Sequence, residues 1–178
     1  MKRKEAEFLE HLLTSMSDPI YLSFRVIALG ELVTRETDLA YTQELGIGIK
    51  ALRVLRIARL QPGQPVRIVG KWAFVEKAAM SKLVSNLCNL GYLERRIDPH
   101  DARSMQLFVT KTGTALLKKA DRLARKLMKK RFPSLSPEIA ASLATTLDTL
   151  LLDCAKSSVP PADGRPAGRK RAVRTHSE

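Results

Sequence analysis

Residues 65 to 113 place two short helical patterns directly before an alternating strand pair, and this order restricts the fold more than any other feature. PVRIVGKWAF (65–74) and VEKAAMSKLVSNLCNLG (75–91) each have one apolar face at helical spacing. The two faces consist of Val66, Val69, Gly70 and Ala73, and of Met80, Leu83, Val84, Leu87 and Leu90. RRIDPHDARSMQLFVTKTG (95–113) alternates apolar and polar residues around a polar turn, which predicts a hairpin.

A longer helical pattern lies upstream of these segments. IKALRVLRIARL (49–60) has Ala51, Val54, Leu55 and Ala58 on one face and Arg53, Arg56 and Arg59 on the opposite face. QPGQ (61–64) should end this helix, and Asp18-Pro19 should begin an earlier one that runs to about Leu39. Helix, turn, short helix, turn, helix and hairpin together predict a winged helix-turn-helix, in a mostly α fold with a small β-wing.

Both ends of the chain have apolar stripes. Residues 1–16 form an amphipathic arm, Thr110 should cap a helix to about Arg131, and Ser136-Pro137 should begin a last helix to Lys156. The apolar positions of this last helix are spaced 3, 4, 3, 4, which is typical of a coiled-coil seam: Ala140, Leu143, Leu147, Leu150 and Cys154. Such a helix can dock on its own domain or on a second copy, and together with the arm it favours a homodimer.

These features divide the chain into four functional segments. Residues 1–45 are an N-terminal dimerisation arm and helix, and 46–112 are a winged helix-turn-helix that binds DNA. Residues 113–156 are C-terminal dimerisation helices, and 157–178, rich in Pro, Gly and Arg, are a disordered basic tail. We expect the tail to add affinity for DNA that depends on salt and not on sequence.

Charge and composition limit the function classes. The net charge of +13 over 178 residues points to a polyanion, usually nucleic acid and less often an acidic membrane surface. No apolar run approaches the roughly 20 residues of a membrane span, and MKRKEAEFLEHLL is too charged for a signal peptide. Cys88 and Cys154 allow neither a disulfide framework nor a zinc cluster, and both are interpreted as packing residues. We expect a cytoplasmic protein without metal or cofactor.

The outward face of the 75–91 helix is small, polar and basic, as a helix in the major groove of DNA requires. The candidate DNA-binding residues on this face are Lys77, Ala78, Ser81, Lys82 and Ser85. Arg67, at the start of the preceding helix, is a candidate phosphate anchor, and Arg53, Arg56 and Arg59 are candidates for phosphate contacts or pairs between subunits. At the hairpin tip, Arg103 and His100 are placed to reach a minor groove, while Asp98 and Asp101 are interpreted as turn formers and braces for arginines.

The stretch from about Tyr21 to Lys119 resembles the MarR family of bacterial transcription regulators. The resemblance is carried by IKALRVLRIARL, EKAAMSKLVSNLCNLGYLERR, the wing DPHDARS and the following VTKTG. It implies a homodimer joined through both chain ends and bound to a pseudo-palindromic operator. It also implies repression that is relieved by a small effector, often an aromatic acid or phenol. Ala102 stands where the family usually has a wing arginine, and Glu76 stands where Asp or Ser commonly caps the recognition helix.

The same resemblance suggests an effector pocket between the dimerisation and DNA-binding lobes. Arg25 occupies the first-helix arginine position, which in some members holds a ligand carboxylate, and Tyr21 lies near it in sequence. Ile68 and Trp72 lie off the inward stripe of their helix, and either line a pocket or pack on the first helix. Arg25 has an equally simple alternative role in a salt bridge within the chain or as a solvated side chain.

Two other function classes remain open at this stage. A non-specific nucleoid-associated or RNA-binding protein would account for the charge and the tail, but it would not need the apolar seam or the small-residue face. An enzyme is disfavoured because His11, His100 and His176 fall in an arm, a turn and a tail, with no Ser/His/Asp set or phosphate loop evident. A repressor without a ligand is a third alternative.

Overall fold

The computed structural model describes residues 3–99 and 101–157. It contains seven α-helices and one two-stranded sheet in these residues, in the predicted order, and confirms the mostly α fold with a β-wing. The helices are α1 (Arg3–Ser15), α2 (Leu22–Leu45), α3 (Ile49–Leu60), α4 (Val66–Ala73), α5 (Lys77–Asn89), α6 (Lys111–Arg131) and α7 (Pro137–Lys156). The strands are β1 (Leu93–Ile97) and β2 (Met105–Val109).

Helix α2 is preceded by a short 3-10 helix, Pro19–Tyr21, that is capped as the sequence indicated. The Asp18 carboxylate accepts a hydrogen bond from the Ile20 amide at 2.8 Å. The predicted end near Leu39 is wrong, because the helix continues to Leu45 and stops where Gly46 takes a left-handed conformation with φ +70°. The polar residues of the last turns weakened the apolar pattern without ending the helix.

The start of α3 is capped from another helix. Asp38 of α2 accepts a hydrogen bond from the Ile49 amide at 2.6 Å, while Gly48, the residue before α3, has no side chain to do so. Because a free N-terminal amide is costly when water is excluded, this carboxylate joins α2 to α3 at the start of the winged-helix segment. Local sequence could not show it, since the two residues are eleven positions apart.

The segment that follows α3 pairs with the edge of β2 that β1 leaves free. The Gly63 amide donates to the Leu107 carbonyl at 3.0 Å, and the Leu107 amide donates to the Gln64 carbonyl at 3.1 Å. Pro65 forms an isolated antiparallel bridge with Gln106. The sequence predicted only a turn here, but the turn lies along β2 and fixes the wing to the α3–α4 connection.

One apolar core joins helices α2 to α6 and the wing. It is formed by the predicted inward faces of α3, α4 and α5, with residues from α2, the strands and α6. Its most completely buried large side chains are Tyr41, Leu52, Leu55, Leu87, Leu107 and Leu117. One predicted core residue is misplaced: Leu90 is exposed, because it is the residue at which α5 ends.

The junction between α5, the wing and α6 is a compact set of backbone contacts. Gly91 is left-handed with φ +70°, and the Gly91 and Tyr92 amides donate to the carbonyls of Cys88 and Leu87. The Thr110 hydroxyl donates to the Gly91 carbonyl at 2.7 Å and accepts from the Gly113 amide at 2.9 Å. Thr110 therefore caps α6, as predicted, and also ties its first turn to the end of α5.

The chain divides into two compact units, Met1–Arg131 and Phe132–Glu178. In the second unit, the Ser136 hydroxyl accepts from the Ile139 amide at 3.3 Å, with Pro137 in the first turn of α7. None of the residues of α7 is buried, so its predicted seam is open along its length. Among the described residues, no helix combines the length and the hydropathy needed to cross a membrane.

Candidate nucleic-acid interface

Helix α5 presents two different faces. Met80, Val84 and Leu87 are buried in the core. Four of the five predicted DNA-binding residues on the other face, Lys77, Ala78, Ser81 and Lys82, are exposed, and Ser85 is half-buried. Small side chains beside two lysines leave the α5 backbone free to approach the edges of base pairs.

The turn between α4 and α5 contains one residue in a strained backbone conformation. Phe74 has φ +54° and ψ +47°, a left-handed conformation that L residues rarely adopt, and its side chain is 71% exposed. The Phe74 amide donates to the Lys71 carbonyl, and the Val75 amide donates to the Gly70 carbonyl. These two bonds end α4, and the Val75 side chain is buried. Glu76 makes no side-chain cap to α5, as its type suggested. The direction of α5 is therefore set by the Phe74 turn and the buried Val75.

The wing is a regular hairpin with an ordered turn at its tip. β1 and β2 pair in antiparallel register from Leu93 opposite Val109 to Ile97 opposite Met105. The Asp98 amide donates to the Ser104 carbonyl at 2.9 Å, and the Asp101 carboxylate accepts from the Arg103 amide at 3.0 Å. Asp101 thus forms the turn as predicted, but it holds the backbone of Arg103 and not its guanidinium.

Arg103 is exposed at the wing tip. Arg96, a second wing arginine that is not among the predicted site residues, contacts other side chains of the hairpin. The Arg96 guanidinium lies 4.4 Å from the centre of the Phe108 ring and 3.0 Å from the Glu94 carboxylate. Cross-strand alternation could have found this contact, because Arg96 and Phe108 lie on the same face of the hairpin. His100, the other predicted tip residue, lies outside the described residues.

The predicted arginine face of α3 belongs largely to the fold. Arg56 pairs with Asp121 of α6 at 3.0 Å, and Arg53 donates to the Thr34 hydroxyl of α2 at 3.3 Å. Burial lowers the pKa of Arg56, but hydrogen bonds with Tyr41 and Asp121 outweigh it and raise that pKa above its ordinary value. Arg53 and Arg56 thus have partners within the chain, and contacts with phosphate or with a second subunit stay a prediction for this arginine face. Arg59 and the phosphate candidate Arg67 are exposed.

The four candidate effector residues are not joined by any hydrogen bond or ring contact within residues 3–99 and 101–157. The guanidinium of Arg25 donates to the Leu13 carbonyl at 3.2 Å and to the Met16 carbonyl, so it closes the C-terminal end of α1. This is neither the salt bridge nor the solvated side chain that the sequence suggested. Tyr21 is exposed in the short 3-10 helix.

Ile68 and Trp72 lie on α4. Ile68 is half-buried, while the Trp72 ring is 48% exposed with the Lys71 ammonium 5.5 Å from its centre. A shallow groove among the described residues follows α7, and its lining of Ser142, Thr145, Thr146, Thr149 and Leu150 includes none of the four candidates. The pocket therefore stays a prediction.

The described residues contain no cluster of three or more His, Cys, Asp or Glu side chains arranged to hold a metal ion. Cys88 packs against the core, as expected. Cys154 is exposed on α7.

Comparison with known proteins gives structural relatives only. No protein-family model and no curated protein matches the sequence. A MarR-family regulator from Silicibacter pomeroyi superposes with a TM-score of 0.60 at 22% identity, over 75% of this chain and 87% of its own. FabT from Streptococcus pneumoniae, in complex with DNA, gives 0.59 at 20% identity, over 79% and 100%. PcaV from Streptomyces coelicolor, in complex with its natural ligand, gives 0.56 at 19% identity, over 79% and 95%.

At these identities the superpositions show the fold. The chain has the winged-helix architecture of the MarR-family regulator from Silicibacter pomeroyi, of FabT and of PcaV, over most of the length of each of them.

Proposed function

We propose that this chain is a MarR-type transcriptional regulator, a homodimer that binds a pseudo-palindromic operator through α5 and the wing. The observation that carries the proposal is the exposed face of α5, where Lys77, Ala78, Ser81 and Lys82 combine small side chains with hydrogen-bond donors and positive charge. This face stands beside a hairpin whose tip presents Arg103 to solvent. The fold that the chain shares with FabT, which was determined in complex with DNA, supports the same reading.

Each part of the interface has a distinct role in this proposal. Lys77, Ser81, Lys82 and Ser85 contact base edges or the nearest phosphates in the major groove, while Ala78 permits close approach. Arg67 holds a phosphate from the start of α4, and Arg103, with His100 beside it, enters the neighbouring minor groove. The functional segments are 1–45, 46–112, 113–156 and 157–178, as the sequence indicated.

The dimer of this proposal forms through both chain ends. Leu143 and Leu150 of the predicted α7 seam are exposed in the single chain, as are Ile139 and Leu151 beside the seam and Phe8 and Leu13 on α1. Exposed apolar residues at coiled-coil spacing are stabilised when a second copy covers them. Two copies related by a two-fold axis would place their α5 helices about 34 Å apart, one turn of DNA.

Regulation by a small molecule is a further part of the proposal. PcaV was determined with its natural ligand, which supports an effector site in this architecture. For this chain we infer a repressor, acting in the cytoplasm without cofactor or catalysis, that is released by an aromatic acid or phenol near Arg25, Tyr21, Ile68 and Trp72. Such a ligand acts only if it binds one arrangement of the two DNA-binding lobes more tightly than another.

The proposal is tested by selecting duplexes from a random library with the full chain. We expect enrichment of a two-fold symmetric site and a solution mass of two chains. Competition between that site and random DNA, across a range of salt, should give a preference of at least about a thousandfold. A monomer without any preferred duplex would contradict the proposal.

A non-specific nucleoid-associated or RNA-binding protein is the second candidate, and the net charge of +13 favours it. The same competition separates the two, because a non-specific binder loses affinity for all duplexes equally as salt rises. RNA of matched length, added as competitor, distinguishes the RNA-binding version.

A further inference from the structure

Most of the excess positive charge of this chain lies outside the helix that is proposed to read DNA. The 21 residues of α6 contain nine basic residues and one acidic residue, a net charge of +8 out of +13 for the chain. Residues 46–110, which include the winged helix, carry eleven basic and four acidic residues over three times the length. A single helix thus holds slightly more net charge than residues 46–110 together.

The cations of α6 are concentrated on one face. Because an α-helix turns about 100° per residue, eight of them fall within an arc of about 140° that runs for about 28 Å. We call this surface the α6 stripe: Lys111, Lys118, Lys119, Arg122, Arg125, Lys126, Lys129 and Lys130. All eight side chains are exposed, and the opposite face is buried through Gly113, Leu116, Leu117 and Ala120.

The fold does not use these charges. Within the described part of the chain, no hydrogen bond or ion pair involves the side chain of any of the eight, whereas Asp121, the one acid of α6, pairs with Arg56. Arg131, the ninth base, pairs with Glu36 and donates to the Leu32 carbonyl. Like charges three and four residues apart on a helix repel one another and lower its stability. The α6 stripe therefore lowers the stability of its helix, and no side-chain contact inside the described chain compensates for this.

We propose that the α6 stripe binds the sugar–phosphate backbone of duplex DNA outside the site that α5 reads. The inference rests on the proposed function, since it needs DNA to be the partner of this chain. Thr110 holds the first turn of α6 against Gly91, at the end of α5 opposite to Lys77. The stripe thus begins on a different part of the surface from the proposed base-reading end of α5 and is about 28 Å long, about the length of eight base pairs.

The residue types of the α6 stripe favour contacts with the sugar–phosphate backbone of DNA over contacts with its bases. Apart from the eight cations, the arc contains only Thr112 and Ala115, so it lacks the amide side chains that read base edges. It also lacks the aromatic and leucine residues with which a basic amphipathic helix inserts into a lipid surface. Long flexible cations without either group neutralise phosphates in a sequence-independent manner.

The experiment compares two triple variants of the full chain that remove the same charge. Lys118→Gln/Arg122→Gln/Arg125→Gln acts in the middle of the stripe, and glutamine preserves helix propensity. Lys4→Gln/Arg35→Gln/Lys50→Gln removes three exposed cations from α1, α2 and α3 as the control. Binding of a random duplex is measured against salt for both, and for the unmodified chain. Each lost phosphate contact lowers the slope of log affinity against log salt by about 0.9, so the stripe variant should lose two to three from that slope. The control should lose less than one.

A second readout tests for DNA beyond the operator. Protein bound to an immobilised operator duplex should capture a labelled random duplex, and the stripe variant should lose most of that capture while it keeps its preference for the operator. A stripe variant with an unchanged salt slope and unchanged capture would overturn the inference. Loss of binding to phosphatidylserine vesicles with an unchanged DNA slope would also overturn it, in favour of a lipid surface. If the unmodified chain prefers no duplex, the proposed function fails, and the salt slopes still decide whether the stripe binds DNA.

Discussion

Gly113, in the first turn of α6, lies so close to Tyr92 that a Cβ atom at position 113 would overlap the Tyr92 carbonyl oxygen. The same Cβ would lie 2.8 Å from Cγ1 of Val109. Since the obstruction is backbone on one side and a core strand on the other, neither can move without disturbing the junction between α5, the wing and α6. The glycine of VTKTG is there because only a hydrogen atom fits between these elements.

Gly113→Ala should therefore lower the free energy of unfolding by about 3 kcal/mol, the upper range for forcing an extra carbon into a packed site. Gly30→Ala is the matched control, because a Cβ at Gly30 of α2 has no atom within 4 Å. That change should instead stabilise the helix by about 0.5–1 kcal/mol. Urea unfolding followed by circular dichroism measures both, and equal stabilities of the two variants would contradict the packing argument.

Phe74→Gly should stabilise the chain, although it removes an aromatic side chain. Phe74 is exposed and left-handed, and relief of that conformation gains about 1–2 kcal/mol, from which the entropy of glycine in the unfolded chain subtracts about 0.5–1 kcal/mol. Phe74→Ala removes the ring but keeps the Cβ, so it should bring no gain. Thermal unfolding of the two variants checks the sign, and a lower melting temperature for Phe74→Gly would show that the ring packs in a way that its exposure does not indicate.

Arg103→Ala should weaken operator binding about tenfold and leave the wing folded. The turn is held by the Asp98 amide and by the Asp101 carboxylate, which binds the backbone of residue 103, so the side chain is not needed for its shape. The loss should be larger for operators with A·T-rich flanks, whose narrow minor grooves attract arginine. Arg35→Ala, an exposed arginine of α2, is the control for charge alone, and equal losses in the two variants would remove the wing from the proposed interface.

A double-mutant cycle on Arg56 and Asp121 should give a coupling of about 1 kcal/mol or less, because both side chains are partly exposed. The folded-state pKa of Arg56 is raised, so its contribution is fully present below the unfolded pKa and is lost only in strong alkali as pH rises through the folded value. The coupling should therefore be constant across neutral pH. Arg56→Gln should leave the salt slope of DNA binding unchanged, whereas a flatter slope would return Arg56 to the phosphate ligands.

Ser136→Ala should destabilise α7 by about 1 kcal/mol through loss of its N-terminal cap. It should also raise the pKa of Glu138 toward its ordinary value of 4.5, because a hydrogen bond with Ser136 is the main cause of its lowered pKa. A lowered folded pKa favours folding above the unfolded pKa, and that contribution is lost as pH falls through the folded value. Titration of the Glu138 carboxylate by NMR gives the direct test, and an unchanged pKa in the variant would exclude Ser136 as the cause.

The elements of the fold could be read from the sequence where a local signal was strong. Periodic apolar residues and capping pairs such as Ser136-Pro137 place α3, α6 and α7 within a residue of their bounds. The extension of α2 to Leu45 had no such signal, because polar residues on a solvated helix face resemble a loop. The contact between the 61–65 segment and β2 could not be predicted, since it joins residues about forty positions apart.

For the candidate interface, too, the sequence predicted some positions correctly and could not predict others. Helical spacing alone puts Lys77, Ala78, Ser81 and Lys82 on an exposed face, and the structure agrees. Spacing also put Arg53 and Arg56 on an outer face of α3, but it could not show that α2 and α6 cover that face and use both arginines. The role of Arg25 depended on where α1 ends, which a sequence pattern for α2 does not contain.

The Thr110 hydroxyl donates to the Gly91 carbonyl, just after α5, and accepts from the Gly113 amide in the first turn of α6. Together with the bond from the Thr110 amide to the Tyr92 carbonyl, this oxygen atom couples the position of α6 to the end of α5. A displacement of the 21-residue helix α6 would be transmitted to α5 through this junction, so Thr110→Val should weaken the coupling while both helices stay folded.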